Sequence, residues 1–306
     1  MSNTNLIVVL GATATGKTRF AAQLAYLIQG EIISADSRQI YKHMDLGTGK
    51  DYQDYHVKDK IIPSHLIDIC EPGEKYNVYL FQKAFYTVFE QIHKLQHMPI
   101  LCGGTGMYIE AVTKAYALPE VSTNKQLREK LEHKSLNELK EILAGYKKLH
   151  NKSDIDTRKR AIRAIEIQEF CKEHPLNITK APEIHPVYIG MHLERDQCRK
   201  RIKHRLDQRL EAGMVQEVQS LLERGIPPED LIYYGLEYKF ITNYLLGNIN
   251  YNTMTEKLYI AICQFSKRQM TWFRRMQRNN IKIHWIDAMK PDEAKIKHAL
   301  QILKQR

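Results

Sequence analysis

A chain of 306 residues with 43% hydrophobic and 26% charged side chains can bury the core of one large or two smaller domains, which excludes a disordered or fibrous polypeptide. No apolar run approaches the roughly 18 to 20 residues of a membrane span, and the N-terminus lacks a basic segment followed by an apolar stretch, so neither a membrane nor an export route is expected. The formal charge of +11 lies wholly beyond residue 115, because residues 1–115 carry 11 Lys+Arg against 11 Asp+Glu, so the later segments suit a polyanion partner or else form a solvated basic surface.

Along the chain, Leu6 to Leu10 reads as a β-branched apolar strand ending in a glycine-rich turn, and Lys17 to Ile28 as a helix with Ala21, Leu24, Ala25 and Ile28 on one face. Glu31 to Asp36 reads as a second strand, His65 to Ile69 as a third and Pro99 to Cys102 as a fourth, with a helical pattern from Val78 to Leu95 before the last. Residues from about Asn124 to Lys172 are charged and helix-forming, with no strand signal. A strand returns at Val187 to Met191 between prolines and the long helical tail, followed by helical patterns over Glu194–Gly225, Pro228–Leu246 and Thr253–Met276 and a last strand at Ile281 to Ile286. Strands alternating with helices imply an α/β fold with a parallel sheet covered on both faces. The expected organisation is a core of residues 1–115 and 187–306 interrupted by a helical insertion of 116–186. The five cysteines, Cys70, Cys102, Cys171, Cys198 and Cys263, show no CxxC pairing and read as reduced thiols in a cytoplasmic protein. The histidines show no metal-binding spacing.

Gly11-Ala12-Thr13-Ala14-Thr15-Gly16-Lys17-Thr18 fits G-x-x-x-x-G-K-[ST] between a predicted strand and a predicted helix, the context a P-loop requires. Its backbone N–H groups and the positive helix end suit a phosphate chain, Lys17 adds a point charge, and the Thr18 hydroxyl suits a Mg²⁺ ion. A glycine turn capped by a helix would leave the Gly-Lys-Thr ending unexplained. Such a loop serves kinases, ATPases and any enzyme whose substrate carries a diphosphate, so it does not fix the reaction. Asp36-Ser37-Arg38-Gln39 closes the second strand, at the strand end where open parallel sheets bind ligands. Asp36 there is suited to accept a proton from an attacking amine or alcohol, or else is a helix N-cap.

Asp36-Ser37-Arg38-Gln39-Ile40-Tyr41, Met44-Asp45-Leu46-Gly47-Thr48, His65-Leu66-Ile67-Asp68-Ile69, Gly103-Gly104-Thr105-Gly106-Met107-Tyr108-Ile109 and Lys267-Arg268-Gln269-Met270-Thr271-Trp272-Phe273-Arg274 together resemble the tRNA dimethylallyltransferase family, in the family's order over residues 6 to 287. The resemblance implies a P-loop NTPase-like sheet and transfer of a dimethylallyl group from dimethylallyl diphosphate to the exocyclic amine of the adenosine 3′ of the anticodon. It implies that Gly11 to Thr18 hold the diphosphate with Mg²⁺ and without ATP hydrolysis. Asp36 would be the general base, and Ser37, Arg38, Gln39 and Thr105 would contact the flipped nucleotide. Arg158, Lys159, Arg160 and Arg163 match a block for tRNA contact. The partners expected are therefore a tRNA anticodon stem-loop and dimethylallyl diphosphate, with no protein partner implied.

A second basic run, Arg195, Arg199, Lys200, Arg201, Lys203, Arg205 and Arg209, is suited to RNA or to solvent alike, with Ile202, Leu206 and Leu210 as its buried stripe. Tyr233, Tyr234, Tyr238, Phe240 and Tyr244, at helical spacing, are expected in the core. The sequence departs from the family at Ala12, where a proline is usual, and at Cys263, where the family arginine resembles a diphosphate contact. Lys267, one turn on, is the expected substitute. An adenylate isopentenyltransferase, a P-loop kinase and a non-catalytic RNA-binding relative are the competing readings.

Overall fold

The computed structural model describes residues 4–146, 157–174 and 181–305. They divide into two compact units, one of Met1–Ala115 with Pro182–Arg306 and one of Tyr116–Ala181.

The larger unit is built on strands β1 (Leu6–Gly11), β2 (Gly30–Ser34), β3 (His56–Val57), β4 (Lys60–Ile61), β5 (Ser64–His65), β6 (Met98–Gly103), β7 (Pro186–His192) and β8 (Ile283–Asp287). Six of them form one sheet in the order β5-β2-β6-β1-β7-β8 with every pairing parallel, and β3 and β4 form a separate antiparallel ladder. The pleat sends alternate residues to opposite faces. Ile7 and Val9 of β1 therefore join a core with Phe20, Ala21 and Leu24 of helix α1 (Lys17–Ile28), while Leu6, Val8 and Leu10 join another with Phe81 and Phe85 of α2 (Val78–Lys94) and Ile109 of α3 (Gly106–Thr113). Burial on both faces explains why these strands read as unbroken apolar runs.

After β7 the chain forms α7 (Arg195–Glu211), α8 (Met214–Glu223), α9 (Pro228–Tyr234), α10 (Leu236–Leu245), α11 (Tyr251–Arg278) and α12 (Asp292–Lys304), the numbers α4 to α6 belonging to the smaller unit. Helix α11 serves both cores: Met254, Leu258 and Ile262 pack in the first, Phe273 and Met276 in the second. Its middle therefore crosses the carboxyl edge of the sheet.

The structure departs from sequence expectation where backbone conformation intervenes. The third strand stops at His65 because Leu66 (φ 60°) and Asp68 (φ 53°) are left-handed, which no extended ladder accommodates. Asp68 is instead drawn to the buried Lys50 ammonium and the Tyr52 hydroxyl. The helix expected over 194–225 breaks at Gly213 (φ 103°), and that over 228–246 breaks at Gly235. Tyr234 and Tyr238 are core residues as expected, but Tyr233 is 49% exposed.

The smaller unit consists of α4 (Lys125–Glu132), α5 (Leu136–Ala144) and α6 (Arg158–Glu173), capped by Asn124, a Ser135/Glu138 capping box and Thr157. Its core is small, with Leu131, Leu139, Leu143, Ala161 and Ile165 at its centre. Residues 147–156 of the expected helical stretch lie outside the described residues. The fully buried Glu166 carboxylate accepts from Arg128 Nε and one terminal nitrogen at 3.0 Å each, from Arg163, and from the Asn124 N–H at 2.7 Å. Burial alone would raise its pKa, but these donors outweigh it and hold the carboxyl below its ordinary value. Removing it leaves two half-exposed arginines and a backbone donor without their acceptor. Glu166→Ala is therefore expected to destabilise this unit by about 2 to 3 kcal/mol, read as a drop in melting midpoint. No described helix is long and apolar enough to cross a membrane.

Candidate active site

The chain leaves β1 toward β2 on one side and returns on the other with β7, so a crevice opens at the carboxyl end of β1. The loop Gly11–Gly16 lies there. Gly11 is required because a Cβ would stand 2.6 Å from the Met191 carbonyl on β7, and Gly16 takes the left-handed conformation (φ 75°) that starts α1. Within the loop Thr15 Oγ1 donates to the Ala12 carbonyl at 2.9 Å and Lys17 Nζ donates to the same carbonyl at 2.8 Å. Ala12 keeps that carbonyl available although it lacks the proline ring.

The second segment follows β2. The Ala35 N–H donates to the Cys102 carbonyl at 2.8 Å, the Thr105 N–H to the Ala35 carbonyl at 3.2 Å, and the Ser37 N–H to Thr105 Oγ1 at 3.3 Å. Asp36 Oδ1 accepts from the Arg38 N–H at 2.8 Å, which orients the carboxylate within its turn. Gln39 is held at both ends, accepting from Ser34 Oγ at 3.1 Å and donating to the Gly49 carbonyl at 2.9 Å, so its carboxamide shapes the turn.

Both segments and the turn Gly103–Thr105 line one cavity of about 960 Å³. Thr13, Ala14, Gly16, Lys17 and Thr18 lie along it with Asp36, Ser37, Arg38, Gln39 and Thr105. The phosphate loop and the candidate base thus converge. Arg158, Lys159, Arg160 and Arg163 belong to the other unit, on α6. There Arg158 donates to the Glu132 carbonyl, and Arg163 is held by Glu166 and by the Val121 carbonyl at 2.7 Å.

Two groups at the cavity escaped the sequence reading. Arg205, from the basic run on α7, donates its guanidinium to Thr13 Oγ1, and Arg201 and Arg209 line the same wall at i−4 and i+4. Arg209 is buried and donates to both Asp51 oxygens at 2.9 and 3.0 Å. Arg195, Arg199, Lys200 and Lys203 do not line the cavity. The four-residue spacing of Arg201, Arg205 and Arg209 puts them on one face, but Arg195, Arg199 and Lys203 have the same spacing, so the sequence could not rank the two sets. Gln269 on α11 is the second group: its carboxamide accepts from the Thr13 N–H at 2.8 Å and donates to the Gly104 carbonyl at 3.0 Å.

The expectation for Cys263 and Lys267 is corrected. Helix α11 presents Ile262, Phe265, Arg268 and Gln269 to the cavity, whereas Cys263 and Lys267 are on another face. Cys263 is partly buried against the first core beside the Tyr259 hydroxyl, and Lys17 and Arg205 are cations that touch the phosphate loop. Tyr233 lies at the cavity with the Arg38 guanidinium 5.4 Å from its ring centroid.

The electrostatics suit an anion. Burial, with the neighbouring Arg205 charge, lowers the pKa of Lys17, and burial with the Arg209 charge brings Arg205 down to about 10. A bound polyanion would relieve both. Burial also raises the Asp54 and Glu237 carboxyls and pushes the Cys102 thiol up to about 12, which leaves that thiol protonated and unreactive.

Residues 39–276 match a family model described as IPP transferase, and residues 4–60 match one described as Isopentenyl transferase. The chain is 55% identical over 303 residues to tRNA dimethylallyltransferase 1 of Parabacteroides distasonis, with 99% of each chain covered. It is 53% identical over 305 residues to tRNA dimethylallyltransferase 2 of Bacteroides fragilis, with 100% of each covered. The crystal structure of a full-length tRNA isopentenylpyrophosphate transferase from Bacillus halodurans matches with a TM-score of 0.71 at 31% identity, covering 98% of this chain and 96% of that one. A eukaryotic dimethylallyltransferase acting on tRNA shares the fold, with a TM-score of 0.75 at 21% identity over 99% of this chain and 80% of that one.

Proposed function

This chain belongs to the tRNA dimethylallyltransferase family, and from that membership we propose that it transfers a dimethylallyl group from dimethylallyl diphosphate to the exocyclic amine of the adenosine 3′ of the anticodon in tRNA, in the cytoplasm. The observation that carries the reading is the meeting of a phosphate loop and the Asp36 carboxylate in one cavity. In the reaction the adenine nitrogen forms a bond to the allylic carbon, the C–O bond to the diphosphate breaks, and pyrophosphate leaves with the bonding pair. The proton that the amine must lose goes to Asp36. The negative charge growing on the leaving oxygen meets the loop N–H groups, Lys17 and Arg205, donors already in place before the bond breaks. Thr18, beside Lys17 at the cavity, would hold a Mg²⁺ ion, which would add further charge stabilisation.

Ser37, Arg38 and Thr105 surround Asp36 and would contact the extruded nucleotide, with Gln39 holding the turn that presents them. An unstacked loop base suits such a pocket, because a paired adenine hides its amine. Arg158, Lys159 and Arg160, along the first turn of α6, would neutralise stem-loop phosphates. Arg163 would act mainly through Glu166.

Incubation with labelled dimethylallyl diphosphate and, separately, total tRNA, AMP and ATP tests the reading. Label in tRNA alone is expected. Label in AMP would favour an adenylate isopentenyltransferase, phosphoryl transfer from ATP a kinase, and RNA binding without transfer a non-catalytic relative. Affinity for the anticodon stem-loop should fall steeply with salt, and Arg160→Ala should lower the log–log slope by about one unit. A slope identical to that of the unsubstituted protein would remove this side chain from the RNA interface.

A further inference from the structure

Gln269 lies in the middle of α11, only 7% exposed, where the helix crosses the carboxyl edge of the sheet. Its two hydrogen bonds have opposite sense: Oε1 accepts from the Thr13 N–H of the phosphate loop, and Nε2 donates to the Gly104 carbonyl of the turn after β6. A backbone N–H only donates and a carbonyl only accepts, so the two partners fix which way the carboxamide points. The approach is close enough to need glycine, since a Cβ on Gly104 would stand 2.2 Å from Nε2.

The run of contacts continues beyond Gly104. The next residue, Thr105, donates its N–H to the Ala35 carbonyl and accepts from the Ser37 N–H through its hydroxyl, and these residues flank Asp36. One connected set of hydrogen bonds therefore joins the phosphate loop to the turn that carries the candidate base. Gln269 is the middle link, and the only side chain in that run to reach both loops.

We propose that Gln269 is a positioning residue coupling the two halves of the site, so that a diphosphate on the phosphate loop tightens binding of the RNA adenosine at the Asp36 turn, and the reverse. The inference rests on the transferase reading. Each ligand must order the loop it binds, and loops hung on one buried carboxamide are ordered together. The second ligand then meets a turn whose freedom is already reduced, which gives positive coupling without a large movement. Methionine fills the same volume but makes neither bond. A glutamate carboxylate accepts from Thr13 but has no proton to give Gly104.

The test measures binding by the full-length protein of a short anticodon stem-loop RNA, with and without saturating dimethylallyl thiolodiphosphate, an unreactive diphosphate. In the unsubstituted protein the analogue should tighten RNA binding by about fivefold or more, within the usual range of coupling between sites. In Gln269→Met the factor should fall below about twofold while each ligand alone binds within about threefold of its original affinity. Gln269→Glu serves the same comparison if the methionine variant does not fold. A side chain that merely supported the fold would weaken both ligands alike and leave their coupling unchanged. An unchanged coupling factor in the folded variant, or no coupling in the unsubstituted protein, would overturn the proposal. If the unsubstituted protein binds neither ligand, the transferase reading falls and takes this inference with it.

Discussion

Asp36→Asn should lower turnover by roughly 10² to 10⁴, the range usual for removing a general acid or base, while both substrates bind within a few-fold of their original affinity. The substitution keeps the shape of the side chain, and the amide oxygen still accepts from the Arg38 N–H as Oδ1 does at 2.8 Å. What is lost is an acceptor for the amine proton. Without it the nitrogen must form its new bond while still carrying that proton, and the barrier rises in the step rather than in binding. Single-turnover kinetics with saturating substrates isolates that step. A normal rate under those conditions would remove Asp36 from proton transfer and leave it as an element of its turn.

The parts of this molecule legible in its sequence are those fixed by neighbours close along the chain. The phosphate loop is set by eight consecutive residues, and the α1 bounds of Lys17–Ile28 coincide with the apolar spacing of Ala21, Leu24 and Ala25. Asp36 was found because it follows the end of a strand, and strand termini are where open parallel sheets place ligands. The positive φ of Leu66 and Asp68 was invisible, since the apolar run His65 to Ile69 reads as extended, and the Lys50 and Tyr52 partners of Asp68 come from another segment. The contacts that complete the site are also remote. Arg205 reaches Thr13 across 192 positions and Gln269 across 256. Nothing in the composition of α7 distinguishes Arg205 from Arg199 or Lys203, because only the packing of Ile202 and Leu206 decides which edge of the helix faces the loop. The same holds on α11, where the burial of Ile262, Ser266 and Gln269 turns Cys263 and Lys267 away from the cavity.

Lys17→Ala should reduce kcat/KM for dimethylallyl diphosphate by about 10² to 10³, the cost usual for losing one preorganised donor at a site of developing charge, and should leave RNA affinity unchanged. The amine is held against the phosphate loop by the Ala12 carbonyl, so its charge stands where the leaving group must sit. The pH dependence gives a second and independent reading. Burial lowers the Lys17 pKa and brings Arg205 to about 10, so both cations begin to lose protons at a lower pH than they would in water. A diphosphate favours the protonated forms and raises both values on binding, so at alkaline pH its association takes up protons and its affinity falls as pH climbs toward 10. In Lys17→Ala one of the two titrating cations is gone, and the alkaline fall should become shallower. An alkaline limb of the same steepness in the variant would show that Lys17 is not one of the titrating groups. Loss of RNA binding in the variant would contradict the separation of diphosphate and RNA contacts.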